Sequence, residues 1–353
     1  LSADPGPEAV RLAVVIVSHQ SRDALQRTLP ALTGQLRDGD ELVVVDNASS
    51  DDSAELAREL APDATVIETG ANLGYGAANN RGAEAATADL LCFLNPDAVP
   101  APGFRDAIVA PATGGRDWAA WQGLVTAEDG RVVNTRGGVI HFTGIAWAGG
   151  AGEPVSEAQP QPAGEPGFVS GACLAIPRKS FLYAKGFAEE FFLYHEDVDL
   201  SLRLRLAVGH LGVEPRALVD HDYEFAKGPA KWRYLERNRW ATLIRTYPGA
   251  LLALLAPALF ATELALVAVA IAGGWFAQKL RAWGDTLRSL PRLLRERREI
   301  HAAPAVPAHE FAAALTPDLD SAYLGAASRS GLLRAALRAY WSLVLALLGA
   351  RRG

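Results

Sequence analysis

The sequence predicts an α/β fold: a mostly parallel sheet with helices on both faces, then a C-terminal α-helical, membrane-associating region. Three observations carry this. Between Leu12 and Asn95, short and nearly continuous apolar runs alternate with helical stretches, as strands buried on both faces do. Each run ends in polar residues. Beyond Pro248 the chain turns first strongly apolar, then basic and leucine-rich.

The elements follow in order. LAVVIV (Leu12–Val17) reads as a first strand. A helix follows over about 23–36, with Leu25, Leu29, Leu32 and Leu36 on one face. ELVVVD (Glu41–Asp46) is a second strand, and SSDDSAELAREL opens with cap-type residues before turning helical. ATVIE (Ala64–Glu68) is a third strand. YGAANNRGAEAAT is a helix of small residues, and DLLCFLN (Asp89–Asn95) is a fourth strand. The middle, about 100–220, is less regular. Residues 147–167, rich in Gly, Pro, Ala and Glu, read as a mobile loop. A helix is expected from Asp197 to about Val208.

The 353 residues suffice for one large domain or two of ordinary size. Residues 1–248 are expected to form the catalytic domain and 249–353 the helical, basic and apolar region. The net charge of −6 gives no support to nucleic-acid binding. It divides unevenly: −11 up to Pro248 and +5 beyond it, which suggests two environments. Cys92 and Cys173 both sit in apolar runs and read as buried free thiols, consistent with a reducing compartment. The first residues lack a charged stretch followed by an apolar one, so no secretory leader is expected.

Ligands of open α/β sheets bind outside the carboxyl ends of the strands. Strand one ends in Ser18-His19 and strand two in Asp46-Asn47. Strand three leads into Asn72-Leu73-Gly74-Tyr75-Gly76, and strand four ends in Asn95-Pro96-Asp97. Singly, each could be turn chemistry; together they gather polar groups on one edge. SHQSRDAL after strand one has no glycine, which argues against a dinucleotide site, and there is no phosphate-binding P-loop. Gly74 and Gly76 permit a tight turn, Gly82 permits close helix packing, and Asn72, Asn79 and Asn80 supply amides for a nucleotide. Asp97 could hold a divalent metal through oxygen ligands. In FFLYHEDVDLSLRLRLAVG, Glu196, Asp197 and Asp199 crowd a helix start, where they are either capping acids or a general base beside an aromatic wall. His221 is either structural or a metal ligand. Arg237 and Arg239 lie on either a solvated face or a phosphate-binding one.

In this order, VVIVSHQSRDAL, LVVVDNASSDDS, NLGYGAANNRG, LCFLNPDAVP, SGACLAIPR, GFAEEFFLYHEDVDLSLRLR and the His221 region resemble family 2 of the glycosyltransferases, over about residues 12–248. The nearest look is to its rhamnosyltransferase-like branch. The resemblance implies a GT-A fold and an inverting, metal-dependent transfer of sugar from a nucleotide-sugar donor to a polyprenyl-linked glycan in cell-wall or surface polysaccharide synthesis. It implies that Asp46 reads the donor's base, with Ser18 and Asn47 beside it. Asn72, Gly74 and Asn79 would lie near nucleotide and sugar. Asn95 and Asp97 stand where the family has a DxD element, so Asn95 replaces its first carboxylate. Asp97 and His221 would hold Mg²⁺ or Mn²⁺. Asp197, paired with Glu196, matches the catalytic base, and Arg237 and Arg239 match a segment that touches the diphosphate. A nucleotide-sugar-binding scaffold without turnover and a sugar nucleotidyltransferase are the alternatives.

Leu251–Phe276 is an apolar run of 26 residues interrupted at Pro257 and Glu263, long enough to span a bilayer or to lie in its interface. Glu263 favours the interface. The basic stretch beyond it suits anionic lipid. The terminal segment, with about a dozen unbroken apolar residues, reads as too short to span. The expected location is the cytoplasmic face of a bacterial plasma membrane, and a homo-oligomer is possible.

Overall fold

The computed structural model describes residues 10–158, 165–207, 209–221, 228–302, 306–320 and 330–350. The chain forms two compact units. The first comprises residues up to 137, 148–204 and 209–223; the second comprises 138–147, 205–208 and the chain from 224.

The first unit is built on one mixed sheet. Strands β1 (Leu12–Ser18), β2 (Glu41–Asp46), β3 (Thr65–Glu68) and β4 (Leu90–Leu94) fall where the apolar runs predict them. β3, β2, β1 and β4 are neighbours in that order, all parallel. Alternate residues of β1 serve two cores. Leu12, Val14 and Ile16 pack with Leu25, Leu29 and Leu32 of α1 (Arg22–Thr33). Ala13, Val15 and Val17 pack with Ala78 and Ala83 of α3 (Tyr75–Ala85). Gly82 makes the second contact possible, since a Cβ there would lie 2.3 Å from Val15 Cγ1. Cys92 and Cys173 are both buried and unbridged.

Beyond β4 the sheet departs from the simple parallel expectation. β5 (Val99–Pro100), β6 (Trp118–Ala127), β10 (Cys173–Pro177) and β11 (His210–Asp220) extend it in the order β4-β10-β6-β11-β5, with β7 (Val132–Thr135) paired to β6. β10 runs antiparallel to both β4 and β6, while β11 is parallel to β6. Two consequences position the site. The amino end of β10 arrives at the edge where β1, β2 and β4 end, and Asn95 N–H donates to Ala172 O at 3.1 Å. β11 delivers its carboxyl end, and His221 after it, to the same edge.

Residues 147–167, expected to be a mobile loop, are largely ordered where described. Gly149 N–H donates to Gly137 O at 2.9 Å, Val133 N–H donates to Glu153 O at 2.8 Å, and a short helix spans Val155–Ala158. The backbone pairing with residues 131–137 is what a composition reading could not anticipate. Residues 159–164 lie outside the described residues, as do 222–227 of the His221 region.

The second unit is helical: α8 (Ala230–Thr246), α9 (Gly249–Ala272), α10 (Phe276–Ile300), a short helix Ala308–Ala312, and a C-terminal helix Gly331–Ala350. It includes α8, whereas the sequence boundary at 248 left α8 with the catalytic part. The cause is a buried charge cluster. Glu236 and Arg239 of α8 meet Glu263 of α9 and Lys279 of α10, with Lys279 Nζ 2.5 Å from Glu236 and 3.0 Å from Glu263. The indole N–H groups of Trp240 and Trp283 also donate to Glu263, at 3.1 and 2.9 Å. Removing one member of such a cluster leaves an uncompensated buried charge.

Two sequence expectations need correction here. α9 continues through Pro257 without a break. The C-terminal helix has 20 residues, and both it and α9 are long and apolar enough to cross a membrane by length and composition. Arg334 and Arg338 sit within its first turns, so counting only unbroken apolar residues underestimated it.

Candidate active site

The carboxyl edge of the sheet collects the predicted residues of the first unit. Ser18 and Asp46 are register partners at the ends of β1 and β2, and both are buried. Asp46 accepts Ser49 N–H at 3.1 Å through one oxygen. Its other oxygen and the Ser18 hydroxyl are buried without a hydrogen-bond partner among the described residues. Buried polar atoms in this condition are costly unless something else satisfies them, so this pair is suited to a polar ligand edge.

Asn47 and Asn72 are bonded to each other and to the chain that follows. Asn47 Oδ1 accepts Leu73 N–H at 2.8 Å and its Nδ2 donates to Asn72 Oδ1 at 3.0 Å. Asn72 Oδ1 also accepts Gly74 N–H at 3.0 Å. These amides shape the turn into α3. Asn79 is buried and donates to Tyr75 O at 3.0 Å. Asn80 binds both backbone groups of Phe187, at 2.9 and 3.0 Å. Gly74 has φ +83°, and a Cβ there would lie 2.4 Å from Phe192 O, so only glycine fits.

At β4 and β11 the strand ends bring Asp97 and His221 together. His221 Nε2 lies 3.1 Å from Asp97 Oδ1 and 3.4 Å from the Asn95 amide nitrogen. One carboxylate oxygen and one imidazole nitrogen fit a hard divalent cation that takes its remaining ligands from phosphate and water. Among the described residues no three His, Cys, Asp or Glu side chains converge, so the protein offers a partial coordination sphere.

The acidic run opens helix α7 (Glu196–Ala207). Its three acids separate by environment. Asp199 is fully buried and ion-paired with Arg203 at 2.7 Å. Glu196 is buried, and burial, then the neighbouring Asp197 charge, push its carboxyl up to about 8. Asp197 alone is partly exposed. Burial raises its pKa too, opposed by the N–H groups of Gly171 at 3.1 Å and Val198 at 2.8 Å. Just before α7, Phe192, Tyr194 and His195 all have positive φ, between 63° and 70°. Non-glycine residues in that region cost about 1–3 kcal/mol each and persist only where surrounding contacts impose them.

Tyr75 supplies one such contact, and sequence reasoning passed over it as a helix start. Its N–H donates to Phe192 O at 2.7 Å and its hydroxyl donates to Gly171 O at 2.6 Å. Gly171 N–H in turn holds Asp197 Oδ2. The only sequence signal was an aromatic residue between two turn glycines. Tyr75→Phe is expected to leave donor KM unchanged and lower kcat about tenfold, as the loss of one buried hydrogen bond implies. The Gly171 N–H lowers the Asp197 pKa, so loosening it should move the acid limb of the pH–rate profile upward. A profile superimposable on wild type would exclude this positioning role.

Arg237 and Arg239 fall in the second unit. Arg239 is buried, donates to Thr143 O at 3.1 Å and pairs with Glu236 and Glu263. That corrects the phosphate-binding expectation for Arg239, whose cation is already neutralised. Arg237 is partly exposed, with its guanidinium 5.1 Å from the Tyr234 ring centroid.

A twisted α/β sheet whose carboxyl edge gathers a buried carboxylate, an Asp–His pair and a partly exposed helix-start acid defines a nucleotide-binding group-transfer enzyme. Comparison with known proteins makes this specific. Residues 13–181 match Glycosyl transferase family 2. The chain is 32% identical over 258 residues to N-acetylglucosaminyl-diphospho-decaprenol L-rhamnosyltransferase of Mycobacterium tuberculosis, covering 66% of this chain and 83% of the relative. Among solved structures it resembles GalNAc-T7 crystallised with UDP, GalNAc and Mn²⁺ (TM-score 0.54, 16% identity, 69% of this chain and 50% of that one). It also resembles TarS of S. aureus (TM-score 0.53, 14% identity, 82% and 52%). The chain belongs to glycosyltransferase family 2, in its rhamnosyltransferase-like branch, and has the GT-A fold.

Proposed function

We propose that this glycosyltransferase moves a sugar from a nucleoside-diphosphate donor to a polyprenyl-linked glycan, with inversion, in cell-wall or surface polysaccharide synthesis. The observation that carries this reading is the separation of the three α7 acids: Asp199 is ion-paired, Glu196 is buried with its pKa pushed up by burial, and Asp197 alone is partly exposed, where it can serve as a base. A single displacement needs one base and no protein nucleophile. Asp197 takes the proton of the acceptor hydroxyl, and that oxygen attacks the anomeric carbon from the face opposite the diphosphate. Ser18 and Asp46 receive the nucleoside. Asp97 and His221 would hold Mg²⁺ or Mn²⁺, which would supply positive charge against the departing diphosphate. The lipid-linked acceptor is proposed from the substrate in the name of the M. tuberculosis relative.

The decisive experiment is a panel of nucleotide sugars, with Mn²⁺ or Mg²⁺, tested for protection against thermal unfolding. A donor at 100 times its Kd adds about 2.7 kcal/mol to stability, so one nucleotide class should raise Tm by several degrees. Protection by none would refute the reading. Turnover should release nucleoside diphosphate; release of inorganic diphosphate would identify a nucleotidyltransferase instead.

We further propose that the second unit holds the enzyme on the cytoplasmic face of the membrane where its acceptor resides. α9 exposes Phe260, Leu264, Val269 and Ile271. Glu263, near the middle of α9, is bound to charged residues of α8 and α10. Carrying α9 across a bilayer would drag that cluster and the arginines of α10 into hydrocarbon, so the interface is favoured over a span.

A further inference from the structure

α10 carries an outward face that its packing does not explain. Lys279, Ala282 and Leu293 are buried on its inner side. Leu280, Leu287 and Leu294 are 48%, 69% and 40% exposed. They recur every seven residues, and each is followed by an arginine: Arg281, Arg288 and Arg295. Seven residues are two helical turns less about 20°, so the leucines form one row and the arginines a second row about 100° around the helix. Between the rows, at the outermost pole, stand Ala277, Gly284 and Pro291, whose small or compact side chains leave both rows standing proud.

We propose that this face lies flat on an anionic bilayer, with the leucine row in the acyl boundary and the arginine row at lipid phosphates. The proposal rests on the membrane reading above and adds the element, face and lipid charge that carry it. Leucines dip about 5–10 Å below the headgroup boundary in such helices while arginine stems extend back to the phosphates. The charge pattern selects the occupant. Asp285, an acid close to these rows, is engaged by Arg233 at 2.6 Å as well as by Arg288 at 3.0 Å, so the face remains cationic. A second copy of the chain is disfavoured: one apolar residue per heptad makes half a coiled-coil seam, and a symmetric contact would bring the arginine rows together.

The test uses the full chain with Leu287→Cys labelled by an environment-sensitive fluorophore; the two native cysteines are buried. Vesicles of phosphatidylcholine alone are compared with vesicles containing phosphatidylglycerol. With the anionic vesicles the label should shift to the blue and be quenched by lipids spin-labelled near the headgroup. Arg281→Gln, Arg288→Gln and Arg295→Gln together should weaken partitioning ~100-fold, the combined share of three basic residues at an anionic surface. If the chain binds vesicles while the label stays water-like, or the triple variant partitions as wild type, this face is not the contact and the proposal fails alone. Absence of any vesicle binding overturns the membrane reading with it. A blue shift that grows with protein concentration without lipid would assign the face to a second copy.

Discussion

Asp197→Asn is expected to lower kcat by about 10²–10⁴, the usual contribution of a general base, with donor binding nearly intact. The amide keeps the size of the side chain and can still accept the Gly171 N–H, so α7 and the strained segment before it should survive. What is lost is the capacity to take the acceptor's proton. Near-normal turnover with normal donor protection would remove Asp197 from that role. Glu196→Gln is the informative companion. Glu196 is raised from 4.5 to about 8, so at neutral pH it is already protonated and the amide resembles it. Its replacement should cost at most about tenfold at pH 7, well short of the loss at Asp197. The stability effect has a definite sign. Between pH 4.5 and 8 the unfolded chain ionises Glu196 while the folded chain keeps the proton, so wild type loses stability as pH rises through that window. The Gln variant should therefore gain on wild type from about pH 4.5 to 8 and hold a constant advantage above it. Denaturant midpoints that track in parallel across this range would contradict the burial argument.

Activity is expected to vanish in excess EDTA and return with Mn²⁺ or Mg²⁺, and Asp97→Ala should weaken donor binding and lower kcat by at least about 10²-fold. A cation on a departing diphosphate contributes several kcal/mol of charge stabilisation, which is two or more powers of ten in rate. The motivating geometry is the Asp97–His221 pair 3.1 Å apart at two strand ends. With few protein ligands, affinity should depend on the donor's phosphates. Metal titration by calorimetry should thus be weak for the free enzyme and tighten when nucleoside diphosphate is added. Full activity in chelator would sink the metal assignment, and loss at Asp97 with retention in chelator would leave Asp97 a purely structural role.

The strand ends were legible in the sequence because the relevant periodicity is local. Four apolar runs, each closed by polar residues, specify a sheet edge before any tertiary contact is known, and Ser18, Asp46 and Asp97 stand on that edge as expected. The small-residue character of α3 was equally readable, since Gly82 lets the helix lie close against Val15 and Val45. Composition failed at residues 147–158, where order comes from pairing with a segment that glycine content cannot reveal. It failed again at Arg239, because an arginine that binds phosphate and one that pairs with two glutamates inside a helical unit are spelled alike.

By itself the sequence determined the chemistry on offer: an acidic, α/β catalytic part with carboxylates at strand ends and at one helix start, and an apolar, basic helical region after it. Only the tertiary structure decided how those groups divide the work. The reversal of β10 brings Gly171 to the carboxyl edge, where its N–H orients Asp197 and its carbonyl receives Tyr75. Burial distinguishes Glu196, Asp197 and Asp199, which in sequence are three acids in four residues. The physical reason is that a strand's direction and a carboxyl's solvation depend on neighbours far along the chain, and neither leaves a trace in the local pattern of residues.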